Sequence, residues 1–256
     1  MDINHIINTA AFAGKILLES GAEIYRVEET ITRICNSCGV AKVDTFATIN
    51  VIIITAEDDY GQPVSIIKRV KRGNQNLEKV SQVNNISRHI KDKGYTIKDI
   101  ENKLREINIL KSYGLGINTL SSGGASAFFC LVFGGDMKDF AISFIIGCSI
   151  KLISTSLNYF QSNEFFINAI CGAAVAFIAL AANGLHLAIH TDIIIIGSIM
   201  VLVPGISITN AIRDTIAGDL MSGILGAMES LLVAVAIAVG TGIVIRLWII
   251  TGGIKL

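Results

Sequence analysis

Apolar positions in the first stretch of the chain, Ile3, Ile6, Ile7, Ala10, Ala11, Gly14, Leu17 and Leu18, recur about every 3.6 residues. This predicts an amphipathic helix over 2–19, stopped by Ser20-Gly21. A second helix is predicted over 22–38, with Val27, Ile31 and Ile34 on its buried face and Gly39 at its end. Between 42 and 57 the pattern changes to β-branched residues, including Val43, Thr45, Thr48, Ile49 and the run 51–55, and two strands fit best. "EDDYGQP" (57–63) is turn chemistry, and "VSIIKRVKR" (64–72) reads as a returning strand. Helices follow over 76–91 and 97–110. Thr96 caps the latter, with Asp99 three residues on as a weaker form of the capping box.

From residue 114 the pattern becomes almost continuously apolar. Segments 114–135, 140–157, 165–183, 192–210 and 224–245 each approach the length that crosses about 30 Å of hydrocarbon at 1.5 Å per residue. Within them only Lys151, Asp192 and Glu229 are charged, and "DMKD" (136–139) and "NYFQSNE" (158–164) suit the turns of helical hairpins. The expected architecture is an α-helical membrane protein with five transmembrane helices, residues 114–256, preceded by a small α+β cytoplasmic domain, residues 1–113.

Composition sharpens this division. Of 256 residues 52% are hydrophobic and 16% charged, yet sixteen of 21 Lys and Arg and fourteen of 21 Asp and Glu precede residue 114. The zero net charge averages two unlike halves. The N-terminus lacks a basic start, an apolar run and a cleavage site, so it does not read as a signal peptide. Lys103, Arg105 and Lys111 before the first span favour a cytoplasmic N-terminal domain. Five spans then place the C-terminus outside, which Arg246 and Lys255 weakly oppose. Five cysteines, an odd number, suggest free thiols in a reducing compartment.

The charged stretch "LVPGISITNAIRDTIAGDLMSG" (202–223) interrupts the apolar half. A charge at the centre of a membrane helix costs roughly 2.5 to 3.5 kcal/mol on insertion scales, so such residues need a reason. Pro204 has no backbone donor and Gly205 no side chain, so the fourth span should bend or break there, freeing backbone groups to meet a solute. Asn210, Arg213, Asp214, Asp219 and Glu229 are the candidate side chains for substrate binding and translocation, with Pro204, Gly205, Gly218 and Gly223 as hinge positions. The bland alternative is a solvated turn over 211–223. Glu229 would still lie about 9 Å into the fifth helix, and Arg213 is its nearest candidate partner by sequence.

Three segments carry a family resemblance. "LVPGISITNAIRDTIAGDLMSGILGAMESLL" (202–232), "LLESGAEIYRVEETITRIC" (17–35) and "VKRGNQNLEKVSQVNNISR" (70–88) resemble motifs of the threonine/serine exporter family. The similarity is to its short, two-component form, which implies five spans, a cytoplasmic N-terminal domain and a smaller, separately encoded membrane subunit as partner. One such pair is associated with succinate export, so the resemblance implies an exporter of small carboxylate-bearing solutes. The pattern carries onto Thr209, Ser222 and the residues above, and onto Gly21, Ala22, Glu23, Arg26, Val27, Glu28 and Glu29. One departure is "FATINV" (46–51), where the family motif has Thr-Pro.

Other clusters are weighed against simpler readings. Glu23, Arg26, Glu28 and Glu29 form either a self-paired solvated face or a docking or gating surface. "CNSC" (35–38) has the spacing of a redox or metal pair, but buried or free thiols suit it better. "HLAIH" sets His186 and His190 four apart, with Asp192 the only carboxylate near in sequence, so an external loop pair is favoured over a metal site. Lys68, Arg69, Lys71 and Arg72 could meet anionic lipid, whereas nucleic acid fits poorly because no aromatics interleave. No phosphate-binding glycine loop, cofactor or metal is implied. The reading is a proton-driven secondary exporter subunit in the plasma membrane, not an enzyme. Arg213 would hold a substrate carboxylate and Asp219 or Glu229 would exchange a proton. Its partners would be a small solute, the lipid bilayer and the smaller subunit, with homo-oligomers allowed. The alternatives are a membrane-anchored sensor or enzyme working through its cytoplasmic domain, and a channel.

Overall fold

The computed structural model describes residues 2–58, 60–71, 73, 75–110, 113–160 and 162–252. Arg72, Lys111 and Lys255, used above for the basic stretch and the orientation, lie outside the described residues. The chain forms two compact units, Met1–Ser112 with Ile206–Met228, and Tyr113–Gly205 with Glu229–Leu256. Residues 206–228, expected within the membrane half, thus group with the N-terminal domain.

The first unit contains α1 (Ile3–Glu19), α2 (Ile24–Ser37), β1 (Val43–Ala47), β2 (Val51–Glu57), β3 (Pro63–Arg69), α3 (Leu77–Arg88) and α4 (Ile97–Asn108). The strands form one antiparallel sheet in the order β1-β2-β3, with Val43 opposite Ala56 and Val51 opposite Arg69. The alternation of β2 buries Ile52, Ile54 and Ala56 on one face, as a half-covered strand requires. The helix α1 packs against α2, α3, α4, β2 and β3, which is why its apolar stripe is wide. Its Ile6, Ile7, Ile16 and Leu17 are almost wholly buried, each contributing roughly 1.5–3 kcal/mol of hydrophobic transfer free energy. A Cβ on Gly14 would meet the Ile31 side chain at 2.6 Å, so the missing side chain lets α2 lie close. At α4 the expected cap is complete: Thr96 Oγ1 accepts from Asp99 N at 3.3 Å, and Asp99 Oδ2 accepts from Thr96 N at 3.0 Å.

The second unit is helical: α5 (Leu115–Val132), α6 (Met137–Tyr159), α7 (Glu164–Gly184) and α8 (Thr191–Ile199). The remaining helices, α9 (Gly205–Ala217) and α10 (Leu220–Ile250), follow in the chain, and residues 229–250 of α10 belong to this unit. Among the described residues, α5, α6, α7 and α10 are long and apolar enough to cross a membrane. They leave Phe128, Phe166, Phe177, Leu231 and Leu247 exposed, the outward apolar surface that a bilayer covers. Their contacts use small residues and short polar bridges, as membrane helices do. Ser126 Oγ bonds Ser198 Oγ at 3.0 Å, Ser122 Oγ donates to Gly147 O at 2.8 Å, and Thr241 Oγ1 donates to Gly172 O at 3.2 Å.

The expected span 192–210 is not one helix. It ends as α8 at Ile199, nine residues long, or about 13 Å of helical rise, less than half the hydrocarbon thickness. After a break containing Pro204 the chain restarts as α9. Proline lacks the N–H that would continue the ladder and its ring clashes with the preceding turn, so the predicted interruption is present. Among the described residues four helices are long and apolar enough to span, where five spans were expected.

Candidate functional site

The site begins with the turn joining α1 to α2. Ser20 caps α1, and Gly21 follows with φ +82°, the left-handed conformation that glycine adopts without steric cost. Gly21 N donates to Leu18 O at 3.1 Å and Ala22 N to Leu17 O at 3.0 Å, the paired bonds of a Schellman end. At the start of α2, Glu23 is the N-cap residue but its side chain makes no cap hydrogen bond, so the first amides of α2 need partners from elsewhere.

Those partners come from α9. Asn210 Nδ2 donates to Gly21 O at 2.8 Å, and Asp214 Oδ1 accepts from Ile24 N at 3.0 Å. Asp214 is only 4% exposed, and a carboxylate at a helix N-terminus is favoured both by the amide and by the helix dipole. Between these, Arg213 Nη1 pairs with Glu23 Oε1. Gln75 Nε2 adds a bond to Ser207 Oγ at 3.1 Å, so the third resembling segment joins the other two. Residues 210, 213 and 214 of one motif therefore hold residues 21, 23 and 24 of another.

Glu23 serves two cations. Arg26 Nε lies 2.9 Å from Oε2, in a line too poor for a hydrogen bond, and Arg26 Nη2 reaches Oε1 at 3.4 Å. The Glu23 side chain is 9% exposed, whereas that of Arg213 is 49% exposed. Glu28 accepts from Ala47 N at 2.7 Å. Burial raises its carboxyl above the ordinary glutamate range, against that hydrogen bond and with help from Asp219 and Asp214. Glu29 instead pairs with Arg33 along α2. Within this cluster Glu29 pairs along its own helix, whereas Glu23 pairs both along α2 and with α9.

The remaining expected residues have distinct places. Gly218 adopts φ +101° between α9 and α10, where Asp219 N donates to Asp214 O at 2.9 Å. A Cβ on Gly223 would overlap Thr215 Oγ1 and stand 2.9 Å from Ala211 O, so this glycine lets α9 and α10 approach. Gly205 N donates to Val203 O at 2.8 Å at the break. Glu229 is half-buried on α10, in the second unit. Arg213, its nearest candidate partner by sequence, pairs with Glu23.

Sequence reasoning missed one residue of the second unit. Asp139, in the first turn of α6, is 0% exposed. Its Oδ1 accepts from Ile189 N at 2.9 Å and His190 N at 3.3 Å, and its Oδ2 accepts from Asp136 N at 3.1 Å and bonds His190 Nδ1 at 3.0 Å. The carboxylate expected to be missing beside "HLAIH" is therefore present, 51 residues upstream. Asp136, Asp139 and His190 could hold a cation by proximity, with ligand atoms within 4.8 Å of one another. The oxygens of Asp139 are already engaged by these donors. Only the signal Asp136-x-x-Asp139, a capping box, could have marked the place. Both thiols of "CNSC" are free and buried, and burial pushes Cys35 up to about 12 and raises Cys38 as well, which disfavours the thiolate that redox or metal chemistry uses.

Comparison with known proteins matches the same ground. The family described as "Putative threonine/serine exporter" matches residues 8–248. The "Probable succinate transporter subunit YjjP" of Klebsiella aerogenes is 26% identical, over 92% of this chain and 91% of that protein. The protein of that name from Escherichia coli is 25% identical, over 93% of each. The "Threonine/serine exporter" of Corynebacterium glutamicum is 26% identical over 94% of this chain, which spans 51% of that longer protein. No solved structure gives a significant match. With nearly the whole length matched, the segments around Glu23 and Arg213 included, this chain belongs to the threonine/serine exporter family.

Proposed function

We propose that this chain is a subunit of a proton-driven exporter of small carboxylate-bearing solutes, either threonine and serine or a dicarboxylate such as succinate. Family membership and the names of the relatives mark it as a transporter rather than an enzyme, and its long apolar helices as a multi-pass membrane protein. Residues 1–113 form its cytoplasmic domain, and a smaller membrane subunit completes the working unit, in keeping with the word "subunit" in two relatives. Arg213 receives the substrate carboxylate, and Asp219 or Glu229 carries the proton.

One observation carries the assignment to Arg213. Its guanidinium already binds a carboxylate, that of Glu23, on a helix held by two separate polar anchors, and half of its side chain stays open. A guanidinium presents several N–H donors in a fixed fork, so it can bind a second carboxylate in the geometry used for the first. The test is efflux from cells preloaded with labelled threonine, serine or succinate, with this chain expressed with and without the small subunit. Loss should be faster only with both chains and should collapse with the proton gradient. Arg213→Ala should abolish it while the protein stays in the membrane; wild-type efflux from that variant overturns the role.

A further inference from the structure

We propose that Glu23 is a built-in competitor of the transported carboxylate for Arg213, and that Arg26 is the counter-charge left behind when Arg213 changes partner. The inference rests on the reading of Arg213 given above and adds the residue that must release it.

Removing one partner from a buried ion pair ordinarily leaves an uncompensated charge, which opposes any exchange. At Glu23 that obstacle is absent. Its two oxygens face two guanidiniums, so when Arg213 leaves Oε1 the carboxylate keeps Arg26 at 2.9 Å. The two cations are also unequal. Arg26 sits on the same helix as Glu23, three residues on, and its side chain is 31% exposed, whereas Arg213 reaches over from α9 and is 49% exposed. The more solvent-open guanidinium is the one that can swing to a solute.

The seat of α9 does not depend on the exchangeable pair. Asn210 and Asp214 bind the main chain of the 21–24 turn, at Gly21 O and Ile24 N. Neither contact involves the Glu23 carboxylate. Arg213 can therefore change partner while α9 keeps its other anchors, and solute arriving at Arg213 changes one ion pair rather than undocking a helix. With Glu23 bound, Arg213 is neutralised and idle. With solute bound, Glu23 turns wholly to Arg26. A solute lacking a free carboxylate has no means of making this exchange.

The experiment compares efflux as a function of internal solute concentration, using labelled succinate and, in parallel, threonine, in cells carrying the complete exporter. Glu23→Gln removes the competing charge and should lower the half-saturating concentration by about tenfold, within the usual size of coupling between two mutually exclusive ligands. Arg26→Gln leaves Glu23 dependent on Arg213 alone and should raise it by a similar factor. A merely structural role for these residues would reduce protein in the membrane or maximal rate without moving half-saturation in opposite directions. If Arg213→Ala abolishes efflux but Glu23→Gln and Arg26→Gln leave half-saturation unchanged, the competition is overturned and the exporter reading stands. If Arg213→Ala exports normally, both fall. Should Glu23→Gln fail to reach the membrane, Arg26→Gln decides alone: an unchanged or lowered half-saturation overturns the proposal.

Discussion

Glu23 in the first unit and Asp139 in the second are both buried carboxylates, and their partners differ in kind. Among the described residues Asp139 is held largely by backbone amides, those of Asp136, Ile189 and His190, with one side-chain partner, the His190 ring. Glu23 is held by two guanidiniums at the ends of flexible stems. An amide cannot be withdrawn without moving the chain that carries it, so Asp139 fixes the loop before α8 to the start of α6. A guanidinium can be withdrawn by rotating side-chain torsions alone. Burial by itself does not separate a structural carboxylate from an exchangeable one; the mobility of its donors does.

This comparison is broken most directly at Asp139. Asp139→Ala orphans several donors at once, and removing one member of such a buried, charged network costs roughly 3 kcal/mol. The purified protein should lose its thermal transition midpoint by many degrees, while Asp139→Asn, which keeps one acceptor oxygen, loses less. If Glu23→Gln destabilised the protein more than Asp139→Ala did, the distinction between fixed and exchangeable partners would be lost. Next in size is Asp214→Ala, which leaves the Ile24 amide uncapped at the start of α2 and should cost about 1 kcal/mol. Asp214→Asn can still accept that bond and should lie close to wild type in the same thermal assay. Equal losses from both variants would mean that the charge, rather than the capping oxygen, is what α2 requires.

Local signals were legible in the sequence and long-range ones were not. The strands, the Gly21 stop, the Thr96 cap and the break at Pro204 each depend on residues within a few positions, and pattern alone places them. The site was legible as two motifs but not as one contact, because Glu23 and Arg213 are 190 residues apart and periodicity says nothing about which faces meet. Proximity along the chain offers Glu229 as a candidate partner of Arg213 and cannot offer Glu23. The division of the fourth expected span into α8 and α9 escaped the pattern for a related cause. Hydropathy over 192–210 is high on both sides of the proline, so composition cannot tell one bent helix from a short helix and a second that packs elsewhere. Asp139 was read as part of a polar turn because its partners, at 189 and 190, lie far along the chain.

The smallest predicted effect tests His190, a titratable side chain that bonds Asp139. The hydrogen bond to Asp139, reinforced by the charges of Asp139, Asp136 and Asp192, holds the His190 ring above its ordinary value of 6.5, against a smaller effect of desolvation. A histidine whose folded-state value exceeds its unfolded value stabilises fully below the unfolded value, and that contribution disappears as pH rises through the folded one. The thermal midpoint of the wild type should therefore fall as pH rises past 6.5, the ordinary histidine value above which this ring is held. His190→Gln should flatten this fall. It should leave the backbone bonds to Asp139 in place, so its midpoint should remain well above that of Asp139→Ala. A pH dependence as steep in His190→Gln as in wild type would move the titration to another group and leave Asp139 served, in effect, by its amides alone. That outcome would sharpen the contrast with Glu23, since the fixed carboxylate would then owe nothing to a side chain and the exchangeable one everything.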